Sequence, residues 1–189
     1  MVIQNEEIVK AFPEVEWIKD PELKEKVVRI WKKACEESPH ESIYQGIFNK
    51  SYDPEADFRD GLVYHTRLVT QLAYQAAKVN NELEEKQVNL DYIVAGALLH
   101  DVCKIVEKGV GGASTPWGKH ITHGVYSIIL AKEEDLPLEI LHMICAHTVN
   151  LNMQTKTTEA AILHHCDYMA SDITHIKHGR LSMGRTIKE

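Results

Sequence analysis

The sequence predicts an all-α protein built around one main domain. Three observations carry that expectation. Apolar residues recur at spacings of three and four instead of alternating, which is the pattern of helices with one buried face. Polar or proline-containing breaks separate these stretches. The chain has 189 residues, of which 44% are hydrophobic, enough for a core, while 10 glycines and 6 prolines are too few for a collagen-like or broadly disordered chain.

The elements follow in order. The first 50 residues read as short helices, with Asp20-Pro21 as a helix start and Val27, Ile30, Trp31 and Ala34 on one apolar face. Residues 49–61 are polar, contain Asp53-Pro54, and read as a loop. A long helix is expected from Leu62 to Asn80, with Leu62, His65, Val69, Leu72, Ala73 and Ala76 on its inward side. Polar residues 81–89 end it. Asp91 is expected to cap the next helix, in which Ile93, Val94, Ala97, Leu98 and Asp101 face the core, and whose end delivers His100-Asp101. Residues 108–119 hold four glycines and a proline, so they read as a flexible loop, a lid or rim for a substrate. Helices are expected over Thr122–Lys132, Leu138–His147 and Thr158–Ile173, parted by Leu136-Pro137 and by the polar stretch Thr148–Thr157. The expected organisation is a helical extension packed on the core over 1–60, the functional domain over 61–173, and a partly loose tail over 174–189.

Charge and composition narrow the function. A formal charge of -7 argues against a protein that coats nucleic-acid phosphates with basic side chains, although a local basic pocket stays open. No apolar run reaches membrane-spanning length; Tyr92–Leu99 is too short and stops at His100-Asp101. The acidic start MVIQNEEIVK is no secretory signal. Cys35, Cys103, Cys145 and Cys166 form no CxxC pair and read as reduced core residues within helices, which places the expected protein in the cytoplasm.

The unusual feature is 11 histidines, more than half of them between His100 and His165. His65, His100-Asp101, His123, His147 and Asp167 sit on separate predicted helices or helix ends. Imidazole nitrogen and carboxylate oxygen are ligands for iron, manganese, zinc, cobalt or nickel, and one carboxylate can bridge two cations. Any single histidine of this set can be read as a buried polar core residue, and for His147 alone that reading is as good as the other. The set of six is harder to explain that way, because six buried polar groups need partners.

Tyr64-His65-Thr66 and Leu98-Leu99-His100-Asp101-Val102-Cys103-Lys104 resemble the HD-domain superfamily of metal-dependent phosphohydrolases, and the resemblance covers about Gly61 to Asp172. His65, His100, Asp101 and Asp167 look like its signature, and His123 and His147 resemble the additions of its two-metal branches. The resemblance implies an HD-domain helical bundle. It implies one metal on His65, His100, Asp101 and Asp167, and a second on Asp101, His123 and His147, with Asp101 as the bridge. Iron, manganese or nickel is favoured; magnesium, cobalt or zinc is admitted. Lys104 stands where many two-metal members have lysine, and is expected to hold a phosphoryl oxygen beside Asp101; Cys103 replaces their usual glycine. The stretches Gly118–His123, Ala146-His147 and Thr158–Asp167 look like the HD portion of certain 3′-to-5′ exoribonucleases, but a separate nucleic-acid-binding domain is not apparent.

The leading expectation is hydrolysis of a phosphoester of a nucleotide or another small phosphorylated compound by metal-activated water. Monoester and diester are both open, as is a homo-oligomer. The alternatives are a di-iron oxygenase of the HD-like type, a phosphodiesterase or exoribonuclease, and a non-catalytic nucleotide-binding module. His120 is the rival of His123, which fits the family spacing better. His164 is a secondary site contact, and Arg67, Lys119 and Lys156 are weaker substrate contacts. Glu107 either positions water or pairs with Lys104. Cys103 reads as packing and not as a nucleophile.

Overall fold

A computed structural model describes residues 1–48, 61–148 and 151–177. Its helices are α1 (Asn5–Ala11), α2 (Pro21–Glu37), α3 (Leu62–Leu83), α4 (Leu90–Leu99), α5 (Lys104–Glu107), α6 (His123–Glu133), α7 (Leu138–Ala146) and α8 (Thr158–Lys177). Single 3-10 turns lie at Pro13–Trp17, Ile43–Gln45 and Val110–Gly112. Among the described residues, β pairing is limited to two isolated bridges, Ile47 with Gly61 and Lys108 with Ser114. The fold is all-α, as the apolar spacing predicts. No helix among the described residues is long and apolar enough to cross a membrane.

α4 is the central element. It packs against α2, α3, α7 and α8. Every residue from Ile93 to Leu99 is buried, so this helix is apolar all round, as a helix enclosed by others must be. One side, with Val94, Ala95, Leu98 and Leu99, meets α1 and α2 through Ile8, Phe12, Ile30 and Trp31. The other, with Ile93 and Ala97, meets Val69 and Ala73 of α3, Met143 of α7 and Leu163 of α8. Gly96 is where α7 comes closest: a Cβ there would stand 2.5 Å from the Met143 methyl. The Trp31 indole N–H donates to the Leu98 carbonyl (3.0 Å), which ties α2 to the last turn of α4.

Several boundaries differ from expectation. α2 is one helix of 17 residues and not a short one. Asp20 caps it by accepting from the Glu22 and Leu23 amides, Pro21 occupies its first turn, and nothing inside breaks its stripe. Asp91 does not cap α4. Asn89 does, accepting from the Asp91 and Tyr92 amides, while the Asp91 carboxylate accepts from the Lys19 and Asp20 amides across the fold. α3 runs three residues past Asn80, because the Asn81 side chain bonds both backbone groups of Val88 and closes the turn beyond the helix. α8 continues through Lys177, past the expected tail boundary at Thr174, whose hydroxyl donates to the Ala170 carbonyl in a buried position. Cys103 lies in the turn between α4 and α5 and not within a helix. All four cysteines are free, and Cys145 is half-buried. The expected loop at 49–61 and the end of the tail fall largely outside the described residues.

Candidate metal centre

Helix ends bring the site together. His65 is in the first turn of α3, His100 and Asp101 follow the last residue of α4, His123 opens α6, His147 follows α7, and Asp167 lies midway along α8. The chain after α4 winds tightly. Val102 N–H donates to Leu99, Lys104 N–H to Asp101, and the buried Cys103 N–H to the Ser127 hydroxyl. Cys103 itself has φ -82° and ψ 2°, a conformation open to any residue, so the glycine usual in the resembled pattern is not required here.

Asp101 is fully buried and faces two groups with its two oxygens. Its Oδ2 lies 3.4 Å from His65 Nε2 and 3.3 Å from His100 Nε2. Asp167 Oδ1 closes that group at 3.0 Å from His65 Nε2 and 3.7 Å from His100 Nε2. Asp101 Oδ1 lies 3.1 Å from His123 Nε2 and 3.4 Å from His147 Nε2. Each group offers donor atoms within 4.8 Å of one another and could hold a metal ion: His65, His100, Asp101 and Asp167 in one, Asp101, His123 and His147 in the other. The six residues expected from the sequence thus come together from five helices or their ends.

The other ring nitrogens fix what faces inward. His100 Nδ1–H donates to the Ala97 carbonyl (2.7 Å), His147 Nδ1–H to the Ile144 carbonyl (2.6 Å), and His123 Nδ1–H to Glu107 Oε2 (2.5 Å). These oxygens only accept, so the proton of each neutral ring sits on Nδ1 and Nε2 presents a lone pair. The consequence is sharpest at Asp101 Oδ1. This buried anionic oxygen has no hydrogen-bond partner, and with both rings neutral it faces the lone pairs of His123 and His147. Acceptors crowded on one point are repulsive unless a cation lies among them, so the donor set fits divalent metal.

Electrostatics show the same demand for positive charge, which raises the pKa values of His100 and His123 against burial. Burial opposes the charged form of His100, but Asp101 and Asp167 outweigh it and push its pKa up to about 10. Burial opposes the ionised form of Asp101 as well, yet Lys104 and the imidazoles hold its carboxyl well below the usual carboxylate range. Asp167 is likewise held down, against burial, by the His100 and His65 imidazoles beside it. The carboxylates draw positive charge into a buried place. His147, with burial dominant, is pulled down towards neutrality.

The remaining candidates sort by contact. Lys104 reaches Asp101 Oδ2 at 2.6 Å, and its ammonium lies 4.4 Å from the Phe48 ring centre. His120 is exposed and takes no part in either group, which leaves His123 in that place. His164 also stays outside both groups; its Nδ1–H donates to the His147 carbonyl, so it supports a ligand's backbone. Arg67 pairs with the buried Glu14, while Lys119 and Lys156 are exposed. Glu107 is not paired with Lys104 among the described ion pairs; its Oε2 accepts from both the backbone and the ring of His123. Burial and its neighbours keep Cys103 protonated by raising its pKa.

Two contacts were not legible in the sequence. Phe48 stacks on His65 with ring centres 3.6 Å apart, although it lies far from the histidine series. The Glu107–His123 pair spans 16 residues across the glycine-rich loop, and no local spacing announces it.

No solved structure matches the chain. A curated relative, the dihydroneopterin 2′,3′-cyclic phosphate phosphodiesterase of Methanocaldococcus jannaschii, is 29% identical over 170 residues, covering 85% of this chain and 68% of its own. The HD domain family model matches residues 62–172, the span from the first turn of α3 through most of α8 that contains all six converging residues. The chain therefore belongs to the HD domain family, and it is a metal-dependent phosphohydrolase.

Proposed function

We propose that the chain opens a small molecule's cyclic phosphodiester at a centre of two divalent cations that share Asp101. One cation is assigned to His65, His100, Asp101 and Asp167, the other to Asp101, His123 and His147. Iron, manganese and nickel suit this nitrogen and oxygen set best, and magnesium, cobalt or zinc can occupy it. The observation that carries the reading is Asp101 Oδ1, a buried carboxylate oxygen facing two imidazole Nε2 atoms with no hydrogen bond of its own.

Cations held there would supply a water nucleophile at neutral pH and positive charge against the phosphoryl oxygens. The chain's own residues do the rest. Asp101 Oδ1 and Oδ2 each serve one group, so its carboxylate sets their separation. The Lys104 ammonium, with a side chain only 17% exposed, stands at the edge of the centre as a point charge for a nonbridging oxygen. No thiol is called upon. In the reaction, water adds at phosphorus, one ring P–O bond breaks, and the freed oxygen takes up the proton, leaving a phosphomonoester. The choice of a cyclic diester rests on what the Methanocaldococcus relative's name says it cleaves.

The test is metal analysis of anaerobically purified protein together with a panel of 2′,3′-cyclic, 3′,5′-cyclic and linear diesters and monoesters. Two metals per chain and fastest turnover of the 2′,3′-cyclic compounds are expected. Preference for monoesters overturns the diester assignment. Two irons with oxygen-dependent oxidation and no hydrolysis points to the oxygenase chemistry instead. A loaded protein that binds nucleotide without turnover is a binding module.

A further inference from the structure

The two metal groups differ in what stands behind their imidazoles. In the first, His100 leans on a neutral carbonyl, and His65 Nδ1 is buried with no partner. In the second, His123 leans on a carboxylate. Glu107 Oε2 receives the His123 backbone N–H at 2.9 Å and its Nδ1–H at 2.5 Å, so one oxygen holds both the start of α6 and the plane of the ring. The second group has three donors and borrows one of them, Asp101, from the first. It is the poorer set, with more to gain from a ligand that is pre-aimed and made more basic by an anionic neighbour.

Glu107 is itself held, and the holder is the glycine-rich loop. The Thr115 N–H donates to the Glu107 carbonyl (3.1 Å), and the Thr115 hydroxyl donates to the Val106 carbonyl (2.7 Å). The Gly118 N–H donates back to the Thr115 hydroxyl (3.0 Å). Gly118 lies against Glu107 so closely that a Cβ would come within 2.1 Å of its carbonyl oxygen and 2.9 Å of its Cγ. Trp117 stacks on Tyr126 of α6, with ring centres 4.3 Å apart, and pins the loop to the helix that His123 begins. The C-terminal part of this loop is thus bonded to Glu107 and packed on α6.

We propose that Glu107, clamped by Thr115 and Gly118, is a positioning residue that determines the affinity of the second metal group alone. The inference rests on the two-cation reading above. Removing Glu107 leaves His65, His100, Asp101 and Asp167 untouched but lets the His123 ring rotate and lose its charged support. The two sites then separate in affinity. Gly118→Ala acts on the same unit from the other side, because the added methyl would clash with the Glu107 carbonyl and Cγ and one of the two residues must shift.

The experiment is a Mn(II) titration of metal-free protein, followed by calorimetry and by electron paramagnetic resonance, which distinguishes one isolated Mn(II) from two that interact. The unaltered protein is expected to take up two ions, with an interacting-pair spectrum. Glu107→Ala should keep the first ion at unchanged affinity and bind the second about 10–100-fold more weakly, leaving the spectrum of an isolated ion at one equivalent or somewhat above. Glu107→Gln preserves volume and one acceptor oxygen and should recover part of that loss; it also decides the matter if the alanine variant does not fold. Second-site affinity unchanged in a folded Glu107 variant overturns the inference while leaving the two-cation reading intact. Equal weakening of both ions also overturns it, since it marks a general structural defect. Fewer than two ions in the unaltered protein means that the two-cation reading itself has failed.

Discussion

The body of α4 and the turn that follows it serve opposite purposes. Along its length, Val94, Ala95, Leu98 and Leu99 close an apolar core with Trp31, Phe12 and Ile30. Immediately after its last turn, His100 and Asp101 begin a buried polar centre. The apolar region is held by many small contributions, each about 25 cal/mol per Å² of surface removed from water. No single member is required for chemistry, but each lost methyl leaves a void. The polar centre is the reverse. Its groups gain little stability by being buried, since desolvating charge is costly, and each has one position in which it works. One helix therefore links a region in which substitutions should cost stability to a region in which they should cost activity.

Asp101→Asn should break the polar side of that comparison most strongly. It keeps the volume but removes the anion shared by both groups, and hydrolysis should fall on the order of 10³-fold or more while the helical circular dichroism stays. Activity within tenfold of the unaltered protein would remove Asp101 from its assigned place. Trp31→Ala should break the apolar side. It empties a fully buried site and strands the Leu98 carbonyl, so urea unfolding should show a loss of about 3–5 kcal/mol, with turnover per folded molecule preserved. A loss below about 1 kcal/mol would mean that the core closes around the gap.

The smallest effect lies at a half-buried carboxylate and sharpens the contrast by belonging to neither region. Glu134 accepts from Lys33 and Arg29, and the Lys33 hydrogen bond, opposed by some burial, keeps its carboxyl below the ordinary value. A carboxyl lowered in the folded state stabilises above its unfolded pKa and loses that contribution as pH falls through the folded one. Glu134→Gln should therefore cost less than about 1 kcal/mol at neutral pH, and the gap to the unaltered protein should close in mild acid. A gap that widens on acidification contradicts that sign.

Much of this was readable from residue order. The apolar spacing located the helices, and Asp20-Pro21 marked the start of α2. The His-Asp series named the residues that the fold brings together. The misreadings share a cause. Asn89 and Asp91 are both good capping residues, and the choice between them fell to the Lys19 and Asp20 amides, some 70 residues away in sequence. Thr174 reads as tail but is buried on α8, because its hydroxyl is satisfied within the helix. Glu107 offered two local roles, and the fold adds a partner from the far side of a loop.

By itself, the amino-acid sequence determined that the chain is helical, that it carries an imidazole–carboxylate set suited to metal, and where that set lies. These are properties of spacing and side-chain chemistry, which are local. Only the tertiary structure decided which oxygen of Asp101 faces which pair of histidines, that Phe48 covers His65, and that Glu107 aims His123. Those depend on distances between helices remote in sequence, set by how the faces of α4 pack against their neighbours and not by any one segment.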